Sequence, residues 1–315
     1  MIERFFNYWV QLSQILRKRF AWLGYILVFV AISYLAFLVF NNWEQLNQIP
    51  WQKYWVAGLI SLLVYLLSLL PQVVIWIRMM SFHHKSGWQD FKIFFQGMLL
   101  RRIPGGIWHW VGRVSIYSGT TNIPPKTVLY ANFWEWILVI LIGVGIIFTG
   151  ESIYKVLGPI AVIGTIISWG MAIGLAYKWF PKTRSRSKRL LESIGWITFY
   201  SVAWIMGGLI VYVFSRSTET TNLNILSSIW IWAVTGTISW VLIIVPSGLG
   251  VREITLTTLL RPYMGTSSAL VIAIAIRLVF LFADILWGGL GWLIGHLMQK
   301  YFGPKNPVVT ISKEV

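Results

Sequence analysis

The amino-acid sequence predicts an all-α, polytopic membrane protein with about seven spans (six to eight) and two re-entrant or broken Pro-Gly segments. Three observations carry this. The 315 residues are 57% hydrophobic and 11% charged, whereas a soluble domain carries about 25% charged residues. Apolar runs of the length of a bilayer crossing recur along the chain, whose mean hydropathy is +0.69. Two Pro-Gly-rich breaks, each preceded by an apolar segment, lead into arginines: Arg101 to Arg113 around Pro104-Gly105-Gly106, and Val245 to Glu253 around Pro246, Gly248 and Gly250. Proline lacks a backbone donor and glycine admits unusual φ, so no regular helix runs cleanly through either break. Irregular backbone at membrane depth is tolerated where protein buries it or where it lines a wet cavity.

In chain order, residues 1–19 form an interfacial amphipathic helix. Ile2, Phe5, Phe6, Trp9, Leu12 and Leu16 recur at helical spacing, and Arg17, Lys18 and Arg19 follow as an anchor. Residues 20–297 form a single transmembrane domain and 298–315 a tail. The first span is Phe20 to Phe40, with no small-residue cleavage site after it. The second is Tyr54 to Met80, kinked at Pro71. Phe91 to Leu100 covers only about half the hydrocarbon core and reads as a re-entrant half-helix or an interfacial one. Further spans are Val128 to Thr149, Leu157 to Phe180 with a Gly170-x-x-x-Gly174 packing face, Ile194 to Phe214, and Ile225 to Val245. A short helix from Glu253 to Leu260 and a last long stretch, Ser268 to Leu297, complete the domain. The order of long span, broken stretch, short helix and next span occurs at 54–149 and again at 225–297, the pattern of an internal repeat. Paired interrupted segments in two halves point to a transporter binding site.

The net charge of +16 is accounted for by positive-inside topology and attraction to anionic lipid rather than by nucleic acid. Seventeen basic residues lie at the N-terminus, in 78–126 and in 178–189, against Lys53, Lys155 and Arg216 in the opposing loops. The N-terminus is therefore expected in the cytoplasm. Seven spans would place the tail outside, although it carries three lysines. The protein is cysteine-free, so it has no disulfide, thiolate metal site or cysteine nucleophile.

Charges at membrane depth mark either a functional site or a structural ion pair. Arg113, Glu135, Arg252, Glu253, Arg277 and Asp284 qualify. His109 and Arg113 share a helix face and can hold a phosphate together. Arg113, Arg252 and Arg277 are expected to converge on an anion, because guanidinium presents a planar fork of donors. Glu253 and Asp284 would orient the arginines or bind a substrate amine. Arg277 and Asp284, about two helical turns apart, are too distant for a direct salt bridge, so each pairs with another helix or both face one polar cavity. Enzyme signatures are weak. Gly248-x-Gly250 lacks a Rossmann context, His83-His84 has no metal-ligand spacing, and Glu44 is the lone acid of the 41–53 loop. No metal or cofactor is expected.

Ile103 to Trp108 with Gly112-Arg113, Pro246 to Glu253, Ile276-Arg277 and Ala283-Asp284 resemble the flippase-like transmembrane family. That family includes the membrane region of bacterial lysylphosphatidylglycerol synthases and related stand-alone proteins. The resemblance spans roughly 20–297, and Pro-x-Gly-Leu-Gly-x-Arg-Glu is its most specific part. It implies a lipid translocase moving or binding an anionic phospholipid or a polyprenyl-phosphate-linked lipid. The alternatives are a membrane enzyme acting on a lipid phosphate and a non-transporting accessory subunit. Aminoacyl transfer is not expected, since the chain ends eighteen residues past Leu297. The expected partners are membrane lipids, not nucleic acid, and a homo-oligomer is compatible with the sequence.

Overall fold

A computed structural model describes residues 51–83, 87–100, 108–121, 123–218, 221–242 and 250–302, together with isolated helical positions at 33, 37, 40, 43 and 44. The expected amphipathic helix, most of the first span, and Pro104, Gly105, Gly106, Pro246 and Gly248 lie outside the described residues. Every regular element within them is a helix: α1 Trp51–Met80, α2 Gly87–Leu100, α3 Trp108–Thr120, α4 Pro125–Phe148, α5 Glu151–Leu157, α6 Pro159–Trp179, α7 Arg186–Ser215, α8 Ile225–Val241, α9 Val251–Met264 and α10 Thr266–Phe302.

The helix starts follow local chemistry. Pro125 and Pro159 sit in the first turns of α4 and α6, where a missing N–H costs nothing. Ser185 accepts the Lys188 N–H at the head of α7, and Asn224 accepts the Ser227 N–H at 2.7 Å at the head of α8. Gly250 opens α9 with φ +80°, a conformation that glycine adopts without strain. α1 continues as helix through Pro71. The expected 178–189 loop is shortened, because α6 runs to Trp179 and α7 begins at Arg186.

This is an all-α polytopic membrane protein. Five described helices are long and apolar enough to cross a bilayer: Tyr54–Met80 within α1, then α4, α6, α7, and Thr266–Ile294 within α10. Their outer faces expose Leu63 and Leu67 on α1, Ile163, Ile166 and Ile167 on α6, and Phe282 and Ile285 on α10, an apolar surface suited to lipid. The expected sixth span is cut short. α8 ends at Val241 after 17 residues, roughly 25 Å of helix against about 30 Å of hydrocarbon.

The packing reveals a repeat whose boundaries differ from those expected. α1–α4 (51–148) corresponds to α7–α10 (186–302), with α5 and α6 between them, so the second unit begins at α7 rather than at 225. α1 packs on α2, α4 and α10; α7 packs on α8, α10 and α4. α2 packs on α3 and α10; α8 packs on α9 and α4. α3 meets α4 as α9 meets α10, and α1 and α7 pack on each other. Every contact in one half thus has its counterpart in the other. Arg78 at the end of α1 donates to Glu192 near the start of α7 at 2.9 Å, so these two helices run antiparallel. The pseudo-two-fold axis therefore crosses the spanning helices, the geometry of an inverted repeat.

The close approaches use glycine. Gly208 lies against the backbone of Ile229, and the Trp204 ring rests on Gly143 and Gly236. Gly170 and Gly174 do not form the expected packing face. Both are exposed, with nothing within 4 Å of an added Cβ. α6 instead buries Ala161, Ser168, Ala172 and Ala176, an equally small-sided stripe that faces α4 and α7.

Candidate functional site: a cavity on the repeat axis

The pairing of α1 and α7 leaves a cavity at its centre that is partly open to the outside. α1 contributes Tyr65, Ser68, Leu69 and Gln72, and α7 contributes Tyr200, Ala203, Trp204 and Gly207. These are the same i, i+3, i+4, i+7 positions of each helix, all offset by 135 residues. Trp232, Gly236 and Trp240 of α8, Val139 of α4, Phe280 of α10 and Arg252 of α9 complete the wall. The Arg252 guanidinium lies 5.3 Å from the Trp232 ring and 5.8 Å from the Phe280 ring, in cation–π range. Phe280 stacks in turn on Tyr65 at 4.1 Å.

A second, smaller cavity adjoins the first and shares Gln72, Val139 and Trp240 with it. Its polar lining is His109 and Arg113 of α3 with Asn132 and Glu135 of α4. Arg113 is 3% exposed. Its Nη1 donates to Glu135 Oε2 at 2.7 Å and to Asn132 Oδ1 at 3.0 Å. The Asn132 amide donates to the Val128 carbonyl at 2.8 Å, which fixes its oxygen towards the arginine. The guanidinium carbon sits 4.1 Å from the Trp76 ring centre and 4.5 Å from that of Phe94. Trp76 Nε1 donates to Tyr117 Oη at 3.0 Å, and Tyr117 donates to Asp90 at 2.6 Å. The buried Tyr200 of α7 lies within electrostatic reach of both Arg113 and Glu135. Arg113 is thus clamped by aromatic faces and acceptors from three helices, α1, α2 and α4.

The other repeat carries the matching ion pair with its signs exchanged. Arg277 Nη1 of α10 donates to Glu253 Oε1 of α9 at 2.6 Å. Glu135 and Arg277 occupy the eleventh and twelfth positions of their helices, α4 and α10. The second carboxylate is differently committed. Glu253 Oε2 accepts the Gly250 N–H at 2.6 Å, placing its charge on the positive end of α9. Glu253 is 3% exposed and lines neither cavity, whereas Glu135 faces the smaller one.

Several expectations change here. The three arginines do not share one site. Arg252 lines the larger cavity, Arg113 the smaller, and Arg277 neither, because its guanidinium is drawn to Glu253. Glu253 does not serve to orient Arg252; its two oxygens go to Arg277 and to the Gly250 N–H. Asp284 takes the Tyr65 hydroxyl at 3.1 Å, so Arg277 and Asp284 each pair with a different helix. His109 and Arg113 do line one cavity, with Arg113 already engaged by Glu135. Sequence reasoning named Glu135 as a charge at depth without giving it a role, and it passed over Asn132, Trp76, Gln72, Tyr65 and Tyr200. The 135-residue offset between Tyr65 and Tyr200 was the available signal. It is visible only once α1 and α7 are aligned by their starts, both tyrosines being the fifteenth residue.

Comparison with known protein families and with curated proteins returns no match.

Proposed function

We propose that this protein is a lipid translocase of a prokaryotic plasma membrane that receives an anionic lipid headgroup in the cavity between α1 and α7. The observation that carries the reading is the wall itself. Matched positions of two antiparallel spanning helices frame one cavity on the repeat axis, and Arg252 brings a charge to its largely apolar wall. Inverted repeats with interrupted helices at their interface suit alternating exposure of a central site. Arg252 supplies a fixed, permanently charged fork for a phosphate oxygen, and the Gln72 amide and the Tyr200 hydroxyl supply neutral donors. The resemblance of the Pro-Gly stretches to the flippase-like family supports the same reading.

The inverted repeat also supports a topology. Six crossings (the 20–40 stretch, α1, α4, α6, α7 and α10) with α2–α3 and α8–α9 as re-entrant pairs return the tail to the side of the N-terminus. Both ends and the 180–185 turn are then cytoplasmic, in keeping with their lysines and arginines.

The test is headgroup movement in proteoliposomes that hold a trace of fluorescent phosphatidylglycerol, read as the fraction reached by an impermeant quencher. Wild-type protein should raise the accessible fraction above that of protein-free vesicles without covalent change to the lipid. Arg252→Lys should slow the rate roughly 10- to 100-fold, the equivalent of one charge-assisted hydrogen bond of about 1.5–3 kcal/mol. Covalent turnover of the lipid would replace translocation with enzymology. Movement unaffected by Arg252→Lys would remove the headgroup from this cavity.

A further inference from the structure

We infer that Glu135 is a proton site, and that one proton enters with each anion bound at Arg113. The inference rests on the translocase reading and supplies its coupling ion. In the resting structure Arg113 and Glu135 form a neutral pair at 2.7 Å, with the two side chains 4% and 13% exposed. A phosphate oxygen that reaches Arg113 from the adjoining cavity must share or displace the Glu135 carboxylate. If both anions stayed charged, the site would hold a net negative charge at low dielectric, which is costly. A proton from water added to a Glu135 oxygen removes that charge. Arg113 Nη1–H passes to the phosphate oxygen as a hydrogen-bond donor, Glu135 becomes a neutral carboxylic acid, and the site is again neutral overall. Release of the anion returns the proton to water and Glu135 to Arg113. No other reactant is needed.

The two repeats differ in the way this role requires. Glu253 has its oxygens on Arg277 and on the head of α9, so protonation there would undo a helix cap. Glu135 caps nothing, and it lines a cavity that shares Gln72, Val139 and Trp240 with the Arg252 cavity. The titratable or charged groups facing it are Arg113 and His109 from α3 and Tyr200 from α7. α1, α2 and α8 contribute the neutral Gln72, Met98 and Trp240, and α5 and α6 contribute nothing to the lining.

The experiment measures binding of short-chain phosphatidylglycerol to the full-length protein in detergent between about pH 5.5 and 8. This diester does not itself titrate over that range. Dimethyl phosphate in a parallel arm separates recognition of the lipid from recognition of a free phosphate diester. Wild-type affinity should fall by up to tenfold for each pH unit gained, following one linked proton. Glu135→Gln should bind with an affinity flat in pH, and His109→Gln should keep the slope. Proton uptake on mixing wild-type protein with lipid, read by a pH indicator in weak buffer, needs no variant. One proton per lipid is expected. Binding without proton uptake overturns the inference while leaving the translocase reading intact. A slope that His109→Gln abolishes and Glu135→Gln retains also overturns it, since the proton would then belong to the imidazole. Absence of binding at any pH overturns both.

Discussion

The ion pair between α9 and α10 holds the second half of the repeat together, and Glu253→Gln is the sharpest perturbation of it. The substitution keeps size and shape. The introduced amide can still accept the Gly250 N–H with its oxygen, but its nitrogen then points a donor at Arg277, where a carboxylate oxygen stood 2.6 Å away. Two contributions are lost. Removing one partner from a buried pair costs about 3–5 kcal/mol, and Arg277, whose side chain is 23% exposed, recovers part of that by turning to water. A negative charge at a helix start contributes a further 0.3–1 kcal/mol or so. The net loss is about 3 kcal/mol. On the scale of globular domains of 150–250 residues that lowers Tm by roughly 6–12 °C. The assay is thermal unfolding of purified protein in detergent for Glu253→Gln, Arg277→Gln and the double variant. The double variant should be less destabilised than the sum of the singles, with a coupling of about 1–3 kcal/mol. Unchanged melting in Glu253→Gln, or strict additivity, would refute the pairing argument.

Two further predictions test the frame. The cysteine-free background suits accessibility mapping: single cysteines replacing Ser185 and Ser312 should label from the cytoplasmic side of intact cells, and one replacing Asn47 from the other. Labelling of positions 185 and 312 from opposite faces would break the inverted-repeat topology. Gly97→Ala should perturb Arg113, because an added Cβ stands 2.9 Å from Arg113 Cγ and 3.3 Å from its Nε. It should lower stability by about 1–3 kcal/mol, whereas Gly170→Ala and Gly174→Ala, which meet open space, should each melt within a few degrees of wild type.

Much of the fold was legible because bilayer physics is coarse. Length and apolarity located α1, α4, α6, α7 and α10, since a spanning helix must satisfy its backbone internally over about 20 residues. α8 escaped that reading because hydropathy runs on past Val241 while the helix does not; Leu242 leaves helical geometry with ψ +56°. The Gly170-x-x-x-Gly174 spacing failed for a related reason. Small residues permit close approach without requiring it, and α6 offered Ala161, Ala172 and Ala176 on another face. At the site, sequence singled out Arg113, Glu135, Glu253 and Asp284 as costly charges and missed the buried Asp90, and cost alone does not assign partners. Arg277 belongs to Glu253 and Arg113 to Glu135 through tertiary neighbours 24 and 22 residues away. The repeated order of spans and breaks was legible, but its second boundary and the sign exchange between the halves depend on which helices pack together.

The most direct test of the central claim is a high-resolution map of the protein in nanodiscs containing phosphatidylglycerol. Headgroup density beside Arg252, between Gln72 of α1 and Tyr200 of α7, is the predicted result, and it should be absent from a map of Arg252→Ala prepared identically. Density for acyl chains filling that cavity, or ordered headgroups only on the outer helix faces with the Arg252 cavity unchanged between the two maps, would contradict it.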